Sequence, residues 1–598
     1  MVKMAKIDYN SKVISSSRNK TKTMWGMINN ACLSVNEKCS TSCNSLNADE
    51  FNNFFKLSVD DQVQFLQKNR NNVDNSCYLS NIKSNIGLHV TNFKFQCFTV
   101  EQVYKKMHQL SNSKTLDIYG LNSAIMKLSA FYIAEVLTYL FNLCIEQGHY
   151  PSSFKLTKVV PVHKKGSKLD YSNYRPISII PVVSKILEGL VNDQLVTYFE
   201  INNIFHSSQY GFRAKRGTSK AIKEFVKLCL KGVENSDTVV NQFYDMTKAF
   251  DSVSHDTFLN KLKIYGFDAT AIGFFKSYLS NRHQTVYYNG IFSHYLPVFH
   301  GVPQGSILGP ICFIIYVNDL ALFVHDDVSR LFLFADDLAI NVTENSKSKV
   351  NQTVEIKDKV IYDWCSVNQL CINMEKTQKL IISLNRKEVA SYVKFLGVYI
   401  QSDLKWKTHI DAISGKINKG IFMLSRLKYC LNMHALKVVY FAHVHSHLSY
   451  CITVWGCSPQ INKILVLQKR AVRIISGANW SDHCRPIFSR LRILTVINLY
   501  ILECLVETKE QLPNLSVNNL VHNYNTRNSF KIYQPFLKFN LTFCAYEAMG
   551  RTLFNVLPQE AHLTDLKKFK KVMRNWLLDR PFYSVTEFFK SDTHLIQF

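Results

Sequence analysis

The segment RLFLFADDLAI (Arg330 to Ile340) sets two adjacent carboxylates between two apolar runs. The β-branched, aliphatic and aromatic content of those runs predicts strands, which puts Asp336 and Asp337 at the tip of a hairpin. Two neighbouring charges at an apolar tip cost roughly several kcal/mol to desolvate unless solvent or a cation compensates them. A metal ion is the economical compensation. The alternative is a tight turn in which aspartate simply tolerates the dihedrals, although such turns usually include Gly or Asn. On this segment alone the two readings stay level.

A second carboxylate stands at the end of another apolar strand, in VVNQFYDMTKAFDSVSHDTFLNKL (Val239 to Leu262), where Asp245 closes the strand and a helix is expected to begin near Phe250 to Ser252. Strand ends project side chains from a rigid sheet. Beside Asp336 on a neighbouring strand, Asp245 completes the minimum set for two-metal phosphoryl transfer. Lys248, Asp251 and Asp256 read as capping groups or a solvated helix face. A third segment, HGVPQGSILGP (His300 to Pro310), concentrates glycine and proline before an apolar run. Such a loop allows close backbone approach to a ligand, and equally suits a structural turn before a buried helix.

The chain has 598 residues, too many for one core, and its 47% hydrophobic content is that of a globular protein. Lys and Arg number 71 against 45 Asp and Glu, a net charge of +26. An excess of that size favours a polyanionic partner, nucleic acid first and an anionic membrane surface second. The 16 cysteines, Cys39, Cys43, Cys365, Cys371, Cys451 and Cys457 among them, are scattered without paired CxxC spacing, and read as reduced core thiols. The start MVKMAKIDYN has no secretory apolar run. The longest apolar stretch, Leu308 to Val324, contains Asn318 and Asp319 and falls short of a membrane span, so it reads as one buried helix.

Residues up to about Phe93 are rich in Asn, Ser and Lys and read as largely loose. Helical spacing from Thr99 to Tyr150 predicts two or three helices. Short strand-like and helical runs then alternate from Lys155 to Ile400, an α+β pattern, and the chain is largely helical beyond Leu404. No internal repeat is apparent.

Together the motifs YSNYRPISIIPVVSKILEGLV (Tyr171 to Val191), SQYGFRAKRGTSKAI (Ser208 to Ile222), FYDMTKAFDSV (Phe243 to Val253), GVPQGSILGP (Gly301 to Pro310), FADDLAI (Phe334 to Ile340), NMEKTQKLIIS (Asn373 to Ser383) and VKFLGVYI (Val393 to Ile400) occur in an order that resembles the polymerase of non-LTR retrotransposons, in particular jockey-like and CR1-like elements. The resemblance is strong over Lys155 to Ile400 and looser beyond. It implies a right-hand polymerase with fingers, a palm carrying an antiparallel sheet, and a helical thumb, with helical extensions at both ends. The corresponding division is an extension or linker over 1–98, partly disordered, a helical extension over 99–154, and fingers and palm over 155–401. A helical thumb with a basic post-thumb region follows over 402–510, and a segment of unknown role over 511–598.

The resemblance also implies roles. Asp245, Asp336 and Asp337 match the metal-binding triad for two Mg2+ ions, with Mn2+ as the substitute. Phe250 matches the steric gate against a ribose 2′-hydroxyl, and Gln304 and Gly305 the loop lining nucleotide and template. Arg175 matches the residue contacting the incoming triphosphate, with Lys164 or Lys165 its companion. Lys376 matches the lysine that protonates departing pyrophosphate, and Phe395, Leu396 and Gly397 the primer grip. The implied activity is RNA-directed DNA synthesis, with an RNA template, a DNA primer and dNTPs as partners, in the nucleus or cytoplasm. The family often carries an apurinic-type endonuclease upstream, and some lineages an RNase H or zinc knuckle. None is seen here, so target nicking is expected from elsewhere, and the chain reads as a fragment or a truncated product. A decayed copy that only binds nucleic acid, and a group II intron maturase-like protein, are the rival readings.

Ile461 to Tyr500 holds Lys463, Lys469, Arg470, Arg473, Arg485, Arg490 and Arg492 against the single acid Asp482. Its first half is amphipathic, burying Ile464, Leu467, Val472 and Ile475, which suits a helix that grips a nucleic-acid backbone through Lys469, Arg470 and Arg473. A solvated face is the plainer alternative. Trp455, Trp480 and Tyr500 read as core aromatics ahead of base-stacking platforms. His443, His447 and Cys451 have i, i+4 spacing but no fourth ligand, and read as a packed helix face. HNYNTRNSF (His522 to Phe530) and MGRTLFNVLP (Met549 to Pro558) resemble segments that follow the polymerase in these elements.

Overall fold

The computed structural model describes residues 1–17, 19–33, 46–68, 92–382, 390–521, 528–543 and 545–598. Cys39, Cys43 and most of His522 to Phe530 lie outside these. The chain is α+β and divides into two compact units, one of 42–221 with 240–379, the other of 1–41, 222–239 and 380–598. Among the described residues no helix is long and apolar enough to cross a membrane, and the described cysteines are free thiols, most of them buried.

The unit of 42–221 with 240–379 contains two sheets. In the first, β1 (Leu156–His163) pairs antiparallel with β2 (Tyr174–Ile179) and parallel with β4 (Arg282–Tyr288), and β4 carries the short β5 (Ile291–Phe292) and β6 (Leu296–Val298). In the second, β3 (Thr238–Thr247), β8 (Asp337–Glu344) and β7 (Ser329–Phe334) lie side by side, and β9 (Cys371–Ile372) pairs with β3.

Helix Ala48–Lys68 corrects the expectation of a loose N-terminal arm. Its apolar residues are few, but Phe51 is buried with its ring 4.7 Å from Tyr171 and 4.9 Å from both Tyr174 and Tyr288, so aromatics of the first sheet complete its core. Asn52 Nδ2 donates to Ser293 Oγ (3.0 Å) and to His294 O (2.8 Å), which fixes the helix on the β5–β6 connection. Three helices follow, Val100–Gln109, Ser123–Leu128 and Ala130–Glu146. The first begins in a reciprocal capping box between Thr99 and Gln102.

Leu308 to Val324 is buried but is not one helix. It divides into Leu308–Val317 and Leu320–Val324. At the break, the fully buried Asp319 Oδ1 accepts from Lys261 Nζ at 2.7 Å, and Asp319 Oδ2 accepts from Trp364 Nε1 at 3.2 Å. A buried carboxylate needs such partners, and recruiting them takes priority over helix continuity.

The unit of 1–41, 222–239 and 380–598 is mainly helical, as expected beyond Leu404. The long helices Lys407–Leu427 and Ile461–Ser476 pack together, and Val496–Gln511 packs on Tyr546–Phe554 and Leu566–Asp579. The N-terminal helices Val2–Ser16 and Lys20–Leu33 belong to this unit, with Trp25 edge-on to His443 at 5.2 Å. β11 (Tyr392–Phe395) and β12 (Val398–Gln401) form a hairpin.

Candidate active site

The acidic doublet sits where the sequence puts it, at a hairpin tip. Phe334 pairs with Asp337 across β7 and β8, so Ala335 and Asp336 form a two-residue loop. The left-handed residue is Ala335, at φ +56°. A turn built to exploit aspartate's tolerance of positive φ puts the aspartate there, and this one does not. The tip is held from behind by residues 208–211. Leu333 N donates to Ser208 O (2.9 Å) and Tyr210 N to Leu333 O (2.8 Å), and a Cβ on Gly211 would stand 2.7 Å from Ala335 N. The glycine of the SQYGF motif is therefore required by close backbone approach.

Asp245 is on the adjacent strand. Asn341 Nδ2 on β8 donates to Asn241 Oδ1 on β3 at 2.7 Å, deep in the sheet. Four residues forward along β3 from that pair is Asp245, and four residues back along β8 is Asp337. The two strands are neighbours in the sheet, and Asp245 lies close enough to the doublet for its charge to act on both Asp336 and Asp337. The charges feel one another. Asp336's carboxyl is raised above the ordinary aspartate range, mainly by burial, with Asp245 adding repulsion and Arg175 and Lys164 opposing it. Asp337 is pushed up to about 6 by burial, then by Asp336 and Asp245. Both side chains still reach solvent at the tip.

Lys376 Nζ lies 2.9 Å from Asp245 Oδ2. Its short helical turn, Met374–Lys376, is tied to the same strand, because Asn373 N donates to Asp245 O at 2.8 Å and Asn373 Oδ1 accepts from Lys376 N at 3.2 Å. Arg175 on β2 is paired with Val162 on β1, next to Lys164, and is exposed. Lys164's pKa is lowered by burial first, then by Arg175, Lys376 and Lys165, while Asp245 raises it. The sequence-predicted Asp245, Asp336, Asp337, Lys376, Arg175 and Lys164 thus form one electrostatic neighbourhood.

Among the described residues no three His, Cys, Asp or Glu side chains converge closely enough, as they stand, to hold a metal ion. Asp245 is instead turned onto Lys376. The donor set still fits divalent cations. All three are hard oxygen donors, and a cation would offset both the burial that chiefly raises Asp336 and Asp337 and the repulsion that adds to it.

The turn after Asp245 departs from expectation. The helix begins at His255, capped by Ser254, not near Phe250 to Ser252. Lys248 takes φ +47°, and Gln62 Nε2 of helix Ala48–Lys68 braces the turn by donating to Thr247 O (3.0 Å) and Ser252 Oγ (3.1 Å). Phe250 stacks on the buried Phe313, ring centroids 4.5 Å apart. Asp256 is exposed in the first helical turn, as a solvated cap group should be. Asp251 is not a solvated group. Its Oδ2 accepts from Gln304 Nε2 at 2.6 Å, and burial pushes its pKa up to about 7 against the lowering effects of Lys248 and Gln304.

Gln304 and Gly305 lie in a loop pressed between that turn and β2. Ser178 N donates to Gln304 O at 2.8 Å. At Gly305, φ is +128° and a Cβ would stand 2.3 Å from Ser178 O, while at Gly301, φ is +77° and a Cβ would stand 2.5 Å from Asp251 Cα. Glycine is compulsory at both positions. Glu188, buried and not noticed in the sequence, accepts from Ile307 N (2.8 Å) and Leu308 N (3.1 Å) and so caps the helix after the loop.

Phe395, Leu396 and Gly397 belong to the other compact unit. Leu396 (φ +44°) and Gly397 (φ +88°) are the two loop residues of the β11–β12 hairpin, Phe395 is buried, and Tyr450 Oη donates to Leu396 O at 2.6 Å. In the same unit Ile464, Val472 and Ile475 are buried as expected, but Gln468 is buried where Leu467 was expected. Gln468 Nε2 donates to Tyr440 Oη (2.8 Å) and Leu494 O (2.9 Å). Of the basic residues, Arg470 is exposed, Lys469 Nζ sits 3.6 Å from the centre of the Tyr583 ring, and Arg473 donates to Asp482 O. Lys463, Arg485 and Arg492 pair with Asp411, Glu587 and Asp579. Trp455 and Tyr500 are buried, and Trp480 is exposed. His443 and His447 are separated from Cys451 by a break at the left-handed Cys451 (φ +52°).

The unit hangs three carboxylates from adjacent strands, with Lys376 on one of them and the charges of Arg175 and Lys164 acting on the doublet. Residues 162–400 match the family described as Reverse transcriptase (RNA-dependent DNA polymerase), and the chain carries that domain. Over 420 residues, 66% of this chain and 46% of the relative, it is 28% identical to the RNA-directed DNA polymerase from mobile element jockey of Drosophila melanogaster. It is 27% identical over 414 residues, 65% of this chain and 45% of the relative, to the probable RNA-directed DNA polymerase from transposon X-element of the same organism. A third relative, the probable RNA-directed DNA polymerase from transposon BS, is 26% identical over 422 residues, 66% of this chain and 46% of the relative. The chain spans about half the length of the curated relatives it matches.

Proposed function

We propose that the chain is the RNA-directed DNA polymerase of a non-LTR retrotransposon, extending a DNA 3′-hydroxyl on an RNA template with dNTPs. The observation that carries this reading is the electrostatic coupling of Asp245 to the Asp336-Asp337 doublet across adjacent strands, with Lys376 on Asp245. The first sheet and its helices serve as fingers, the β3–β8–β7 sheet as palm, and the helices after residue 402 as thumb and post-thumb region. Residues 511–598 are left without a role.

When bound at Asp245, Asp336 and Asp337, two Mg2+ ions, or Mn2+ in their place, lower the pKa of the primer 3′-hydroxyl and neutralise charge on the triphosphate. Arg175 and Lys164 hold the triphosphate oxygens. The primer 3′-hydroxyl gives up its proton to solvent as its oxygen attacks the α-phosphorus, the bond to the bridging oxygen breaks, and Lys376 gives a proton to the departing pyrophosphate. Phe250, backed by Phe313, is the ring that would clash with a ribose 2′-hydroxyl. Gln304 and Gly305 line the nucleotide and template, Phe395, Leu396 and Gly397 grip the primer, and Lys469, Arg470 and Arg473 face the nucleic-acid backbone. Arg470 is the freest of these three to do so. The site of action is the nucleus or cytoplasm.

Primer extension by the purified chain on an RNA template tests the reading. Wild-type protein is expected to extend with dNTPs, and Asp336→Ala to be inactive. Wild-type extension no greater than that of Asp336→Ala would leave only a nucleic-acid-binding function.

A further inference from the structure

Asp251 follows Phe250 directly, yet the polymerase reading gives it no task. Its geometry is specific. The loop 301–304 is fastened to the turn that carries it, with Gly301 N donating to Val253 O (2.9 Å) and Val302 N to Phe250 O (2.8 Å). Gly301 is there because a Cβ would meet Asp251's own backbone at 2.5 Å. Gln304 is then held at both ends, its carbonyl by Ser178 N at 2.8 Å and its carboxamide by Asp251 Oδ2 at 2.6 Å.

A carboxamide has two orientations of nearly equal shape, with opposite hydrogen-bonding sense. An ionised carboxylate only accepts, so it selects the orientation that turns the NH2 toward it and repels the one that turns the oxygen. We propose that Asp251 is a positioning residue that locks Gln304 in one amide orientation, leaving its Oε1 and second N–H to meet the incoming nucleotide. The proposal rests on the polymerase reading and deepens it, because it assigns nucleotide affinity to a residue that touches neither metal nor substrate. Burial pushes the Asp251 carboxyl up to about 7 against Lys248 and Gln304, and the 2.6 Å contact in which Oδ2 accepts from Gln304 Nε2 carries the assignment.

The test is steady-state primer extension by the full chain on an RNA template with varied dNTP. Asp251→Ala is expected to raise the dNTP KM about tenfold with kcat within about threefold, the signature of lost nucleotide binding. Asp251→Asn presents both an acceptor and a donor, so it holds Gln304 without choosing its orientation and is expected to give a KM between those of wild type and Asp251→Ala. Gln304→Ala is expected to raise KM similarly, and adding Asp251→Ala to it to change KM by less than about twofold, because both act through one contact. If Asp251→Ala does not fold, Gln304→Glu decides. It sets two acceptors against each other and is expected to raise KM, and Asp251→Asn in that background to restore it. A wild-type KM in Asp251→Ala, multiplying effects of the two alanine variants, or no rescue of Gln304→Glu would overturn the assignment. A wild-type chain that extends nothing would instead sink the polymerase reading itself.

Discussion

Lys376 Nζ stands 2.9 Å from Asp245 Oδ2, in an ion pair whose side chains are 60% and 45% exposed. A pair this open is worth less than about 1 kcal/mol, so a divalent cation can take Asp245 from it. The lysine is then free for the leaving group. Lys376→Ala is expected to lower kcat on the order of 10²-fold through loss of the general acid. The same change removes a competitor for Asp245, so half-maximal activity should need less Mg2+. A Mg2+ titration of kcat for the two proteins checks both directions.

The acidic doublet gives a pH signature. Asp337 rises from an ordinary 3.8 to about 6, so its charged form is disfavoured in the folded protein. Between those values the folded state holds a proton that the unfolded state has released, and stability without metal falls as pH rises through that window. Asp337→Asn removes the loss. Its metal-free form should melt about 1–3 °C above wild type at pH 8, and level with it near pH 4, by scanning calorimetry. Added Mg2+ should raise the wild-type melting temperature at pH 8 by more than it raises the variant's.

At Gly305, φ is +128° and a Cβ would stand 2.3 Å from Ser178 O, so any side chain must displace β2 or the loop. Gly305→Ala is expected to cost about 2–4 kcal/mol locally and to abolish extension. Gly415 has open space and an ordinary helical conformation. Gly415→Ala should keep full activity and gain up to about 1 kcal/mol from helix propensity. Melting curves and extension assays on both variants make the comparison.

Phe250 is backed by Phe313 at 4.5 Å and cannot easily withdraw from a ribose. Phe250→Val should therefore relax discrimination against ribonucleotides by on the order of 10²-fold, while dNTP use falls less. Single-nucleotide incorporation with matched dNTP and rNTP reads the ratio.

The doublet was legible because its physics is local. Two charges between apolar strands need compensation wherever they fold, and the strand-ending Asp245 announces a partner. Asp251 was not legible, because its partner Gln304 lies 53 residues away and only the folded loop joins them. The same holds for Asp319, whose buried Lys261 breaks an apolar run that reads as one helix. Helix Ala48–Lys68 was missed since its core is completed by Tyr171, Tyr174 and Tyr288 rather than by its own period. The basic stretch has partners that its own sequence does not show. A local charge count cannot see Glu587 and Asp579, which occupy Arg485 and Arg492.

The most direct measurement counts Mn2+ bound to the chain with template–primer and a non-hydrolysable dNTP analogue, by electron paramagnetic resonance. Two ions are expected in wild type, and at least one should be lost in Asp245→Asn and in Asp336→Asn alike. Unchanged occupancy and affinity in either variant would contradict a metal site shared between the two strands.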